Sequence, residues 1–217
     1  AASQAKSAAA RDAGFFTDEI LPIEVPTGRK KPPRIVCEDE HPRPDTTVES
    51  LASLKPLFGG VVTAGNASGI NDGAAALIVG SRAAGESAGV RARGRILAGA
   101  VVGVAPRVMG IGPAFAIPRA LERAGLALAD IDVIEINEAF APQVLGCLKL
   151  LGLDFGDPRV NPNGGGIALG HPLGASGARI ALTALRELER RGGRYAVVSL
   201  CIGVGQGIAL VLERCEQ

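Results

Sequence analysis

Apolar residues recur along the chain in two rhythms, and the switches between them mark the elements. Helical spacing appears at 114–124, where Ala114, Ile117, Leu121 and Ala124 share a face. It returns at 141–151 with Val144, Leu145, Leu148 and Leu151, and at 175–191 with Ala178, Ala181, Leu182, Leu185 and Leu188. Near-continuous apolar runs predict strands at 93–104, 131–136, 195–200 and 208–213. Gly125, Gly152 and Gly192 stand where the three helices should stop. From Arg93 onward the order is strand, helix, strand, helix, helix, then two strands around a glycine-rich turn at 201–207. That order predicts a layered α/β domain ending in an antiparallel hairpin.

The first 92 residues are less regular. Residues 1–13 are Ala-rich and helical in propensity, with Gly14 as a stop. This helix begins at the first residue without a cap or a methionine, so sequence upstream of it is expected. Residues 15–56 hold seven of the 14 prolines. Short strands are predicted at 20–25 and 35–37, and a short helix at 47–55. The run Asp39-Glu40-His41-Pro42-Arg43-Pro44 suits a solvated loop or a lid over a site, and composition does not separate the two. A small-residue loop follows at 64–69, then a strand at 74–79 and a helix at 81–89.

Composition narrows the function classes. The net charge of the 217 residues is +1, and the basic residues are scattered apart from Arg29-Lys30-Lys31. With no aromatic interleaving either, nucleic acid is not an expected partner. No apolar run approaches the ~18 residues of a membrane helix, and no secretory signal is present. The four cysteines, Cys37, Cys147, Cys201 and Cys215, form no Cys-x-x-Cys pair and have no histidine at ligand spacing. No metal site is expected, and the thiols fit a reduced, cytoplasmic setting. Gly203-x-Gly205-x-Gly207 and Gly166-x-x-x-Gly170 lack the strand-to-helix context and distal acid of a nucleotide cradle.

Three polar residues stand out because ligands of open α/β sheets gather where strands run into loops. Asn137 ends one predicted strand and Cys201 another. His171 lies in 160–178, among six glycines and two prolines, just before a predicted helix. Gly203, Gly205 and Gly207 follow Cys201 and place its sulfur on an open turn. An imidazole, a thiol and a carboxamide in such positions suit acid–base chemistry with oxyanion stabilisation. Cys37, Cys147 and Cys215 have no comparable context and are expected to be inert.

Asn137-Glu138-Ala139-Phe140, the glycine run into His171-Pro172, and Cys201-Ile202-Gly203-x-Gly205 resemble three signature blocks of the thiolase family, in order and spacing. The run Gly65-Asn66-Ala67-Ser68-Gly69-x-Asn71-Asp72-Gly73-Ala74 resembles a fourth, and the similarity extends over the whole chain. Asp39-Glu40-His41-Pro42-Arg43 and Cys201 to Gly207 look most like the 3-oxoadipyl-CoA branch. The resemblance implies acyl transfer between 3-oxoacyl-CoA and CoA, by thiolysis or its reverse, Claisen condensation. Coenzyme A and acetyl-CoA would be substrates, with no tightly bound cofactor. His171 would activate a nucleophilic cysteine, and Cys201 would move the α-proton of acetyl-CoA. Asn137 would hold a water in one oxyanion hole, and the Gly203 N–H would serve a second. Ala64, Ser68, Met109, Ala139, Phe140 and Phe58 would line the pantetheine tunnel, and Arg29 would meet the CoA nucleotide.

The resemblance also implies a layered α-β-α fold. Residues 1–70 would be the second part of a loop domain, 71–92 the last strand and helix of the N-terminal domain, and 93–217 a complete C-terminal domain. The N-terminal domain would be mostly absent, leaving the strand at 74–79 without sheet neighbours. None of the chain's cysteines matches the family's acyl-accepting one, which would come from a separate N-terminal chain within a homo- or hetero-oligomer, dimer or tetramer. The competing reading is a catalytically silent module that binds CoA or serves assembly.

Overall fold

The computed structural model describes residues 1–29 and 31–215. Lys30 of the basic triplet and the last two residues of the 93–217 span lie outside the described residues. The chain opens with α1 (Ala2–Asp12), a two-stranded ribbon of β1 (Ile23–Val25) and β2 (Arg34–Val36), and two short helices, α2 (Val48–Ala52) and α3 (Arg82–Ser87). α2 starts at Thr47 because Thr47 and Ser50 cap each other, each side chain accepting the other's backbone N–H.

The main unit runs through β3 (Gly94–Gly103), α4 (Gly112–Ala124), β4 (Val133–Ile136), α5 (Ala141–Leu151), the helical turn α6 (Gly166–Leu169), α7 (Ser176–Arg191), β5 (Tyr195–Ile202) and β6 (Gln206–Arg214). Its four strands are ordered β3-β6-β5-β4. β4 and β5 run parallel, and the other two pairings are antiparallel. On one face Ile117, Ala120 and Leu121 of α4 and Val144 and Leu148 of α5 pack on Ile134, Ile136, Val197 and Val211. On the other, Ile180, Ala184 and Leu188 of α7 pack on Val133, Ala196, Val198 and Leu212. Each fully buried Ile or Leu removes enough apolar surface from water to contribute about 1.5–3 kcal/mol. Strands covered on both faces explain the continuous apolar runs.

Several expectations change. No strand forms at 74–79; the segment has no regular structure, and Ile78 is 99% exposed. A strand's backbone groups need a neighbour, and none of the described residues supplies one. β5 continues through Cys201 and Ile202, so the hairpin turn is confined to Gly203-Val204-Gly205. Gly205 has φ +101, and a Cβ there would lie 2.3 Å from the Val104 carbonyl oxygen, so only glycine fits. β4 starts at Val133, because Leu128–Asp130 forms a 3-10 turn just before it. The buried side of α7 is rotated from the sequence pattern, because Thr183 and Glu187 are enclosed and satisfied. Thr183 donates to Glu19 at 2.8 Å, and Glu187 is held by Asn163, Arg190 and Arg191. Cys147 on α5 is fully buried, as its inert role requires. Its thiol bonds the Gly110 carbonyl, and burial pushes it up to about 11.

Candidate active site

The parallel register of β4 and β5 aligns their C-terminal ends. Ile136 lies opposite Ser199, and the Asn137 N–H donates to the Ser199 carbonyl at 2.9 Å. Asn137, just past β4, and Cys201, near the end of β5, therefore lie toward the same end of the sheet. The end of β4 is held from its other side by Asn161, whose side chain accepts from Ile136 N–H at 2.8 Å and donates to Ile136 C=O at 2.9 Å. Asn161 sits at φ 41, a left-handed conformation that asparagine tolerates better than most residues. Glu138, next to Asn137, is buried. Its carboxylate accepts from Ser3 at 2.5 Å, the Ile167 N–H at 3.1 Å and Asn161 at 3.2 Å.

This frame brings His171 to Asn137, with the Asn137 carboxamide nitrogen 3.2 Å from His171 Nε2. On the other side of the ring, His171 Nδ1 lies 2.6 Å from the Ser176 hydroxyl, which donates to the Pro172 carbonyl at 3.0 Å. A hydroxyl has one proton to give, so Ser176 accepts from His171, and Nδ1 carries the ring proton. Nε2 is then the accepting nitrogen, facing the Asn137 amide. Burial, and after it the Arg179 guanidinium, hold the imidazole below its usual range. It is therefore neutral near pH 7. α7 starts at Ser176 rather than directly after Pro172. The Ser176 hydroxyl links His171 to the first residue of that helix.

The second polar centre is Cys201, half-buried at the end of β5. Burial pushes its thiol up. Gly203 follows in the exposed turn with open space around its Cα. Beneath, Glu135 of β4 is enclosed. Burial pushes its carboxyl up to about 8 against the pull of Arg179, so it is mainly protonated at neutral pH. Among the described residues Asn137 Oδ1, Glu135 Oε1 and both terminal nitrogens of Arg179 are buried without a hydrogen-bond partner.

The expected tunnel residues fall into two groups. The 66–69 loop docks on the start of α5: Ser68 N–H donates to Ala139 C=O at 2.9 Å, Ala141 N–H to Asn66 C=O at 2.8 Å, and Ala67 bridges Phe140. Ser68 is thus a neighbour of Ala139 and Phe140, which lie two and three residues beyond Asn137. Ala64 is exposed at the start of that loop, and Met109 is half-buried in the 3-10 turn Pro106–Ile111 that packs on α5. Phe58 is fully exposed at φ 53, and Arg29 lies in an exposed turn. No hydrogen bond or ion pair among the described residues ties either of them to His171, Asn137 or Cys201. Ser176, Asn161, Glu138, Asn71 and Arg179 have no role in the sequence analysis, although Glu138 and Asn71 stand inside its signature runs. Ser176 carries a local signal too, a hydroxyl five residues past a loop histidine.

Residues 90–214 match the family model "Thiolase, C-terminal domain", and residues 1–83 match "Thiolase, N-terminal domain". The expectation that the N-terminal domain is mostly absent is therefore corrected: the chain carries sequence of both family domains. A beta-ketoadipyl-CoA thiolase of Acinetobacter baylyi is 56% identical over 98% of this chain and 53% of its own length. The chain thus spans about half the length of the curated relatives it matches. The crystal structure of a Bacillus anthracis acetyl-CoA acetyltransferase superposes with TM-score 0.93 at 46% identity, covering 98% of this chain and 54% of that one. A human mitochondrial 3-ketoacyl-CoA thiolase in complex with CoA gives TM-score 0.88 at 49% identity, over 98% and 52%. With both domain models matched and the α-β-α core shared with solved relatives, the chain belongs to the thiolase family.

Proposed function

We propose that this chain supplies the His171–Cys201 half of a thiolase active site, acting on a 3-oxoacyl-CoA such as 3-oxoadipyl-CoA and on CoA. The acyl-accepting cysteine comes from an N-terminal segment outside the 217 residues, within an oligomer of complete thiolase units. The division at 70 and 92 describes how the chain fits such a unit: loop-domain part, last N-terminal strand and helix, and C-terminal domain. The unpaired apolar segment at 74–79 supports this division, since it has the composition of a strand and no strand partner among the described residues.

The observation that carries the reading is the His171 tautomer. Ser176 accepts a hydrogen bond from Nδ1–H, so unprotonated Nε2 is the nitrogen able to accept a thiol proton. The resulting thiolate attacks the 3-oxo carbon of the substrate. The C2–C3 bond breaks, its electron pair passes to the acetyl-CoA enolate, and the Cys201 thiol returns a proton to C2. CoA then takes the shortened acyl group from the nucleophile as a thioester. A thiol kept protonated by burial is suited to that second role. Asn137, whose buried Oδ1 has no protein partner, has the capacity to fix a water for one oxyanion. The Gly203 N–H serves the other. Ala64, Ser68, Met109, Ala139 and Phe140 border the pantetheine. Phe58 and Arg29 join them only once the rest of the enzyme is in place.

The test is a thiolysis assay with 3-oxoadipyl-CoA or acetoacetyl-CoA plus CoA. The chain is measured alone and after joining it to the N-terminal half of a relative. No turnover alone and turnover in the joined enzyme is the expected outcome. CoA binding by calorimetry with no turnover in either sample would replace this reading with a silent CoA-binding module.

A further inference from the structure

His41 is one of only two histidines in the chain, and it lies in the polar run 39–44. That run is largely exposed, but two hydrogen-bonding contacts pin it to the body of the chain. Arg43 N–H donates to Gln4 Oε1 at 2.7 Å, and His41 Nε2 lies 3.2 Å from the Ile167 carbonyl oxygen. His41 Nδ1 lies 3.4 Å from the Asn71 carboxamide nitrogen, and Asn71 Oδ1 accepts the His171 backbone N–H at 3.2 Å, a donor it shares with the Gly69 carbonyl oxygen at 3.3 Å.

Both ends of this series are backbone groups of fixed polarity. The Ile167 carbonyl only accepts, so His41 Nε2 carries the ring proton. The His171 N–H only donates, so the Asn71 oxygen faces it and the Asn71 amino group faces His41. Nδ1 of His41 is then the unprotonated nitrogen that accepts. Every link has a donor and an acceptor, and the polarities agree from one end to the other. The series starts on α6 and ends on the residue two positions beyond it, so it spans the loop that presents His171. Two glycines keep the path clear. A Cβ on Gly170, at φ +93, would lie 2.5 Å from Asn71 Oδ1, and a Cβ on Gly69 would lie 2.6 Å from His41 Cε1.

We propose that His41 and Asn71 form a brace that fixes the backbone of His171 and so aims its imidazole. They are positioning residues, since His41 reaches His171 only through Asn71. The catalytic part of this inference rests on His171 being the base for acylation, whereas the brace itself does not.

Two substitutions divide the brace. His41→Asn keeps an acceptor near the Nδ1 position and loses the bond to Ile167. His41→Gln keeps a donor near the Nε2 position and loses the acceptor for Asn71. Histidine-selective 15N labelling leaves only two backbone amides to follow in this chain, and amide hydrogen exchange reads the His171 N–H directly. The brace requires about tenfold faster exchange in His41→Ala and His41→Gln, the scale of one lost hydrogen bond, and within about twofold of wild type in His41→Asn. In the joined enzyme, kcat should fall about tenfold in His41→Ala and His41→Gln with KM within about twofold, and His41→Asn should restore most of it. Unchanged His171 exchange in His41→Ala, or rescue by Gln and not by Asn, would overturn the brace. If His41→Ala does not fold, the Asn and Gln pair decides alone. The expected exchange pattern in a joined enzyme whose wild type performs no thiolysis would overturn the proposed function and leave the brace standing.

Discussion

His171→Ala in the complete enzyme is expected to slow transfer of an acyl group to the nucleophilic cysteine by about 10²–10⁴-fold, the usual contribution of a general base. CoA affinity should change little, because the imidazole holds no part of the expected CoA path. The pH profile sharpens the expectation. Burial and the Arg179 guanidinium hold His171 below 6.5, the ordinary imidazole value. A base acts when unprotonated, so acylation should rise with pH through that lowered value and level off above it. The rising limb therefore lies below pH 6.5 and should vanish in the variant. Stopped-flow acylation with acetyl-CoA reads both the rate and the limb. Near-normal acylation by His171→Ala would remove His171 from the mechanism.

Cys201→Ala is expected to split the two half-reactions. Exchange of the acetyl-CoA methyl protons with solvent deuterium, and condensation, should fall by on the order of 10²–10⁴-fold, because no other group in the described site is placed to exchange a proton with C2. Acyl transfer to the nucleophile should stay within a few fold, since His171 and Asn137 retain their frame. The raised thiol value agrees with this division. A buried thiol that stays protonated near neutrality is a poor nucleophile and an available acid. Equal loss of both half-reactions would contradict the separate roles.

Much of the frame could be read from the chain because periodicity is local. The helices at 112–124, 141–151 and 176–191 follow from apolar spacing and their glycine stops. The end of β4 just before Asn137 follows from where an apolar run stops, whereas β5 runs two residues past its expected end, through Cys201 and Ile202. The strand order β3-β6-β5-β4 was not legible, because neighbours in a sheet are chosen by tertiary packing. The segment at 74–79 shows the same limit from the other side. Its residues have strand composition, yet a strand exists only with a partner, and none is present among the described residues. Glu135 also escaped notice within an apolar run. Burial keeps its carboxyl largely protonated at neutral pH, and it occupies a core position as a neutral group.

The site divides in the same way. His171, Asn137 and Cys201 were visible as unusual side chains at strand ends and in a glycine loop, and the structure joins His171 to Asn137. The residues that orient them were not visible. Asn71 reaches His171 across 100 positions of sequence, and Asn161 holds the β4 end across 25. Such contacts depend on the fold and leave no spacing to find. By composition the run around His41 suits a solvated loop or a lid, and only the fold brings its two ring nitrogens to Ile167 and Asn71.

The central claim is that His171 serves a cysteine which these 217 residues do not contain. It is tested most directly by trapping the acyl-enzyme. The joined enzyme is incubated with radiolabelled acetyl-CoA without a second substrate, quenched in acid, digested, and its labelled peptide sequenced. The acetyl group is expected on a cysteine of the N-terminal segment, with Cys37, Cys147, Cys201 and Cys215 unlabelled. Stoichiometric label on any of these four, Cys201 above all, would contradict the claim.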